Sequence, residues 1–245
     1  MMSAHFDSTS PVRNTKWRLP AVHPEGRKYV VVAALLVAFF WIIGPHSFAW
    51  PMVGVGLWLA LFFRDPVRVV PVGDDLILAP ADGLVMSIET NVPPRELADS
   101  DDLGSAPFTC VSIFVSIFDA HIQRAPMTGV VRRLVHVSNN APVSDHVKSR
   151  DESERQHWLI VRSDGVRVGF TQVATFVARR VLAFAKPGDM VVIGQRVGLI
   201  RFASRVNIYL PANAAPRVVV GQRAVAGETI LAVIGMTTPA HGIAL

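Results

Sequence analysis

Two uncharged apolar runs constrain this chain first: Tyr29 to Ile43, and Ser47 to Phe63, parted at Gly44-Pro45 and closed by Arg64-Asp-Pro66. A straight helical crossing of a bilayer takes about 20 apolar residues. Each run falls short of that alone, and the two joined are too long for one pass. A short helical hairpin bent at Gly44-Pro45 satisfies both lengths, with Trp41 and Trp50 expected at headgroup depth. Lys16, Arg18, Arg27 and Lys28 precede the pair and Arg64 and Arg68 follow it, so both outer ends favour the cytoplasmic side. The competing reading is a hairpin buried in a protein core. We expect a poorly ordered tail over residues 1–22 and a membrane-associating hairpin over 23–68. No small-residue cleavage site follows the apolar region, so it does not read as a secretory signal.

The remaining residues, 69–245, leave room for one sizeable domain. The formal charge is +5, but the basic residues are scattered without the aromatic interleaving of a nucleic-acid surface. That balance points to anionic lipid or an acidic substrate, not to nucleic acid. A single cysteine, Cys110, lies in an apolar run and reads as a small buried hydrophobe. One cysteine excludes an intrachain disulfide and a cysteine-rich metal site, and no metal is expected.

From Val69 onward, short alternating segments are separated by Gly, Pro and Asp. Strands are expected at 76–79, 84–89, 108–118, 129–137, 157–162, 166–173, 190–193, 197–201, 206–210, 217–220 and 229–234. Pro93–Ala106 reads as a surface loop, Pro142–Arg155 as a mobile charged segment, and Phe176–Arg180 as a stretch that could hold a short helical turn. Lys186-Pro-Gly-Asp189, Val192-Ile-Gly-Gln-Arg-Val197 and Val220-Gly-Gln-Arg-Ala-Val-Ala-Gly-Glu228 are mutually similar glycine turns beside β-branched residues. They resemble, at fold level, the barrel-sandwich of biotinyl and lipoyl carriers, although no Met-Lys-Met triplet is present. The fold class is therefore mostly β (β-rich α+β). It is a compact antiparallel β-domain with a barrel-sandwich-like C-terminal part, preceded by the apolar helical hairpin.

Within Gly198–Pro211, alternation runs on both sides of Ala203-Ser204, which reads as strand, break, strand. Such a pair is either a harmless bulge or a place where the backbone itself reacts. Asp82 lies in Ala79-Pro-Ala-Asp-Gly83 and is either a turn aspartate or an ionisable group at a strand end. His121 and Arg124 lie in Ile117-Phe-Asp-Ala-His-Ile-Gln-Arg-Ala-Pro126 after an apolar strand. An aspartate, a histidine and a serine in one β-domain allow a general base and a nucleophile, but any chain this long contains all three.

The order of the phrases is more specific. His23-Pro-Glu-Gly26, Phe62-Phe-Arg-Asp-Pro-Val-Arg68, Ala79-Pro-Ala-Asp-Gly83 and Phe118-Asp-Ala-His-Ile-Gln-Arg-Ala-Pro126 come first. Gln172-Val-Ala174, Ala178-Arg-Arg180, Gly194-Gln-Arg-Val-Gly-Leu-Ile-Arg-Phe202 and Ser204-Arg-Val-Asn-Ile-Tyr-Leu-Pro211 follow. Together they resemble the phosphatidylserine decarboxylase family in its short bacterial form.

The resemblance implies a proenzyme that cuts itself between Ala203 and Ser204, leaving chains 1–203 and 204–245 as a heterodimer. Ser204 then becomes an N-terminal pyruvoyl group, the only cofactor. That group forms a Schiff base with phosphatidylserine in an anionic membrane and releases phosphatidylethanolamine. Asp82 matches the aspartate of self-cleavage. His121 matches the motif histidine, a base in maturation or a proton donor in turnover. Arg124, where some members carry a second histidine, and Arg205 are candidate substrate contacts. Ala203 stands where the family has glycine, and alanine resists backbone angles that glycine allows. Two rivals remain: a non-enzymatic membrane-anchored barrel-sandwich adaptor, and a proenzyme whose cleavage Ala203 impairs. A pyruvoyl enzyme acting on a soluble amino acid would not need the hairpin. The expected location is the cytoplasmic side of the cell membrane, and further oligomerisation is left open.

Overall fold

The apolar runs and the alternating segments become two distinct bodies of structure. The computed structural model describes residues 19–99, 102–104, 106–137, 154–174, 180–201 and 205–242. The N-terminal body is a helical hairpin, α1 (Pro24–Ile42) and α2 (His46–Phe62). Its stem is tied by strands β1 (Ala21–Val22) and β2 (Arg64–Asp65), which pair antiparallel. His23 caps α1 by accepting the Glu25 amide on Nδ1 at 3.3 Å. Pro24, which lacks an amide proton, fills the first turn, where none is needed. Gly26 is required by close packing: a Cβ there would lie 2.3 Å from the side chain of Phe63.

Val31, Leu35, Phe39 and Ile42 on α1, and Phe48, Trp50, Leu57 and Leu61 on α2, are exposed. A helix apolar on every side is stable only when something apolar surrounds it. Trp41 and Trp50 meet edge to face beside the bend, 5.7 Å between centroids. Among the described residues, no helix is long and apolar enough to cross a membrane by itself.

The C-terminal body is mostly strand, as expected, and contains a large antiparallel sheet curled into a half-barrel. Its strands are β3 (Leu76–Leu78), β4 (Gly83–Asn91), β5 (Phe108–Phe114), β6 (Ile122–Arg124) and β7 (Gly129–Val137). Then come β8 (Glu154–Val161), β9 (Arg167–Ala174), β10 (Arg180–Ala183), β11 (Met190–Val191) and β12 (Arg196–Arg201). The last are β13 (Arg205–Leu210), β14 (Arg223–Ala224) and β15 (Ile230–Val233). The half-barrel has the order β11-β7-β8-β9-β13-β5-β4-β14, and a small sheet has the order β10-β12-β6.

The main core contains Val85, Ile113, Trp158, Phe170, Val206 and Ile208, all fully enclosed. A second cluster, Leu97, Leu103, Cys110, Leu159 and Tyr209, covers the opposite face. A third fastens the hairpin stem to the small sheet through Phe62, Phe63, Ile122 and Leu199.

Three local expectations are corrected. Pro93–Ala106 is not simply a surface loop: Leu97 and Leu103 are buried against the sheet, and Arg133 holds Asp99 and Asp102 from outside. The expected strand at 217–220 is instead a turn, with the Val219 amide donating to Gln222 Oε1 at 3.2 Å and the Gly221 amide to the Val85 carbonyl at 2.8 Å. Arg180 opens β10 in place of closing a helical turn, while 176–179, the rest of that stretch, lie outside the described residues.

Candidate active site

The strands β12 and β13 belong to different sheets, so residues 202–204 carry the chain from the small sheet to the half-barrel. Ala203 and Ser204 themselves lie outside the described residues. The ends on either side are placed, and a link of three residues can separate them by no more than roughly 14 Å.

On the near side, β12 pairs with β6, Leu199 opposite Ile122, and the Ile200 amide donates to the His121 carbonyl at 3.1 Å. On the far side, Arg205 is paired with Phe114 of β5 and Val173 of β9. Phe114 in turn pairs with Leu84, and a Cβ on Gly83 would sit 2.0 Å from the Phe114 carbonyl oxygen. The Asp82-Gly83 step and His121 thus flank the two ends of the Arg201–Arg205 connection.

Gly83 adopts φ of +153°, which disfavours a side chain, and its neighbour leaves no room for one. Gly83→Ala is expected to destabilise the domain by about 3 kcal/mol, the upper end for overpacking. Thermal unfolding measures this.

Asp82 is buried, and its two oxygens are both engaged. Oδ1 accepts the Ala226 amide at 2.7 Å and Oδ2 accepts Arg68 Nη2 at 2.5 Å. Burial pushes the carboxyl above its ordinary range, while the Arg68 guanidinium and the Ala226 amide pull it back. A buried carboxylate without such partners would take up a proton instead. Arg68 is therefore what favours an ionised Asp82.

His121 is completely enclosed. Its ring stacks on Phe62, the last residue of α2, with centroids 3.9 Å apart. Nδ1 lies 2.9 Å from the Asp119 carbonyl oxygen, which can only accept, so Nδ1 carries the proton. Nε2 is then a bare lone pair, buried and with no hydrogen-bond partner among the described residues. Burial is the main reason its pKa falls to about 4. At neutral pH the imidazole is an uncharged proton acceptor. Once protonated, it would surrender the proton readily.

Asp119 holds this turn in shape. It accepts the Ser116 amide on Oδ2 at 2.9 Å and is ion-paired to Arg223 on Oδ1. Arg64, at the exit of α2, donates to the Phe118 carbonyl at 2.8 Å.

Arg124 is brought near by the same strand but is engaged by the scaffold. It donates to the Gly194 carbonyl at 2.9 Å and the Pro66 carbonyl at 3.0 Å, and faces Asp65 at 3.6 Å. It thus ties the hairpin stem to the β12 turn. Arg205 opens β13, half-buried, directly after Ser204. Beneath the sheet crossing, Trp158 Nε1 donates to Gln172 Oε1 at 2.6 Å and Gln172 Nε2 to Gln123 Oε1 at 3.0 Å. This buried relay locks β9 to β6.

The sequence alone does not single out Phe62, Arg64, Arg68, Asp119 or Gln123 as site residues. The available signal is their place inside or beside the quoted phrases, above all Phe62–Arg68. Among the described residues, no cluster of His, Cys, Asp and Glu could hold a metal ion.

The half-barrel thus carries a partnered carboxylate, Asp82, and a bare imidazole, His121, on either side of the crossing from β12 to β13. The family model described as phosphatidylserine decarboxylase matches residues 55–232, and the chain belongs to that family. Phosphatidylserine decarboxylase proenzymes of Novosphingobium aromaticivorans and Erythrobacter litoralis are similar along nearly their whole lengths. The first is 47% identical, covering 93% of this chain and 92% of the relative. The second is 51% identical, covering 89% and 90%. That of Zymomonas mobilis is 46% identical, with 92% of each chain covered.

Proposed function

We propose that the chain is a proenzyme that cuts itself at Ala203-Ser204 and then decarboxylates phosphatidylserine to phosphatidylethanolamine. The observation that carries this reading is the placement of Asp82 and His121 on either side of the 201–205 crossing. The names of the relatives support the substrate and the processing.

In maturation, the Ser204 hydroxyl attacks the Ala203 carbonyl carbon. The hydroxyl proton passes to a neighbouring base and on to the Ser204 nitrogen as the Ala203–Ser204 C–N bond breaks to leave an ester. Removal of the Ser204 α-proton then expels the Ala203 carboxylate, which separates residues 1–203 from 204–245, and hydrolysis of the dehydroalanine left at 204 releases ammonia and leaves the pyruvoyl group. The ionised Asp82 carboxylate, steadied by Arg68, and the bare Nε2 of His121 supply that base system. Their environments suit the pyruvoyl group expected at residue 204: one side gives a fixed negative charge, the other a neutral acceptor shielded from water.

A pyruvoyl group supplies an electrophilic carbonyl that draws off the electron pair released with carbon dioxide. The chain's own residues bind the lipid headgroup, exclude water around His121 and move protons through its Nε2. The hairpin, apolar on all sides and flanked by basic residues, keeps the domain at the cytoplasmic face of the cell membrane, where anionic lipid is concentrated.

Intact-mass analysis of the full chain tests the reading. Two chains of 203 and 42 residues are expected, the smaller with a blocked N-terminus, together with formation of ethanolamine lipid from phosphatidylserine. A single uncut chain with no product would overturn the reading and leave the adaptor and the proenzyme blocked by Ala203. Two chains appearing only over hours would assign the delay to Ala203.

A further inference from the structure

The loop between β5 and the Asp119-Ala-His121 phrase holds an aromatic residue out in solvent on a turn built not to move. Phe118 is 66% exposed and Ile117 46%. The turn is closed on itself: the Asp119 amide donates to the Ser116 carbonyl at 2.9 Å, and the Ser116 amide to Asp119 Oδ2 at the same distance. Two arginines brace it from outside, Arg64 on the Phe118 carbonyl and Arg223 on the Asp119 carboxylate.

Exposed Leu84 and Phe114, directly paired across β4 and β5, continue the apolar surface, and Phe114 is itself the partner of Arg205. Exposed Val67 and Val69 flank Arg68, whose guanidinium is on Asp82. These six side chains lie on the strands, turn and stem that flank the β12-to-β13 crossing, and we call them a collar. Large exposed apolar patches on an ordered surface mark an interaction site.

We propose that this collar, with Phe118 at its tip, seats the β-domain on the surface of a phospholipid bilayer, so that the junction opens at the lipid interface. The occupant follows from where the collar lies. It is joined through Arg64 to the very end of α2, so it sits where the all-apolar hairpin leaves the domain. Arg64 and Arg223 add cationic groups at its rim, a composition suited to the apolar-to-anionic boundary of a bilayer. A diacyl substrate could then present its headgroup while its acyl chains remain in the membrane. The proposal rests on the membrane reading of the hairpin given above.

Cys110, 2% exposed, is the only cysteine and is shielded from labelling. Single additional cysteines therefore report local surroundings in the full chain: Phe118→Cys in the collar, Leu57→Cys in the hairpin, and Ala212→Cys at the opposite end of β13. Each is labelled with a fluorophore that brightens in apolar surroundings. Each labelled chain is mixed with vesicles of phosphatidylcholine and phosphatidylserine, with or without doxyl-labelled phosphatidylcholine.

Quenching at 57 and 118 but not at 212 is the expected result. Quenching at 57 alone overturns the proposal and leaves the membrane reading intact. Silence at both 57 and 118 removes the membrane reading and the proposal together. Equal quenching at 118 and 212 overturns the seating. A signal at 118 that follows protein concentration without lipid shows that a second copy covers the collar, and also overturns it. A paired Ile117→Ser and Phe118→Ser variant is expected to raise KM for vesicle phosphatidylserine about tenfold or more. It should leave KM for a monomeric short-chain phosphatidylserine unchanged. An equal rise on both substrates would overturn the proposal.

Discussion

Ser204→Ala is expected to yield a single 245-residue band on a denaturing gel where the unaltered sequence is expected to yield two, and Asp82→Asn to yield the two only slowly. Ser204→Ala removes the nucleophile and should abolish cleavage. Asp82→Asn keeps the shape and an oxygen for the Ala226 amide, but loses the charge that faces Arg68. Loss of a general-base component slows a reaction by about 10²–10⁴-fold. Cleavage of the Asp82→Asn chain should therefore stretch by that factor, followed as the half-time for appearance of the small chain. Normal cleavage of the Asp82→Asn chain, with Ser204→Ala still blocked, would take Asp82 out of the base system.

The same site predicts how pH should act. Burial raises the Asp82 carboxyl, and the groups acting on it are Arg68, the Ala226 amide, Asp119 and Arg64. In the proposed base role the ionised form is the active one, so cleavage should fall off on the acid side at a pH above that of an ordinary carboxylate. Arg68→Ala removes the largest opposing influence and should move that limb to still higher pH, while Arg68→Lys should bring it part of the way back. Stability has the opposite slope. Because the folded chain holds this proton more tightly than the unfolded chain, this group's contribution declines as pH rises between the two pKa values.

The parts of the fold legible in the sequence are those whose signal is local. Alternation in Gly129–Val137 and in Arg205–Leu210 marks strands because every second side chain enters the core. The uncharged runs around Gly44-Pro45 mark the hairpin for a similar reason. Strand β6 escapes such a reading because Gln123 and Arg124 look solvent-facing in sequence. Their burial depends on partners 49 and 70 residues away, Gln172 and Gly194. Leu97 and Leu103 sit in a segment rich in Pro and Asp, where nothing periodic announces that they cover the back of the sheet.

The site divides in the same way. Asp82, His121 and Ser204 can be nominated from chemistry and from the quoted phrases. The dependence of Asp82 on Arg68, and the seating of His121 on Phe62, cannot be. Each contact joins the hairpin stem to the β-domain, and the fold alone brings them together.

His121→Gln is expected to slow cleavage about 10²–10⁴-fold, because it preserves much of the volume beneath Phe62 while removing the basic lone pair. The structure gives that lone pair its character. Nδ1 is committed to the Asp119 carbonyl, Nε2 is bare, and burial holds the pKa at about 4. The imidazole is thus neutral across the physiological range, and an acid limb set by His121 should appear near pH 4, not near 6.5. The same shift bears on stability, since the unfolded chain binds a proton between those two values and the folded chain does not. This group's contribution is therefore fully present above pH 6.5 and is lost as pH falls toward 4, a difference of about 3 kcal/mol. Denaturant titrations of the Ser204→Ala chain with and without His121→Gln should show stability falling less steeply over that window when the histidine is gone. Because His157 is also buried and lowered, the difference between the two titrations, and not either curve alone, isolates His121. If the two curves run parallel from pH 6.5 to 4, the imidazole is not held neutral in the folded chain, and a proton-accepting role for Nε2 fails with it.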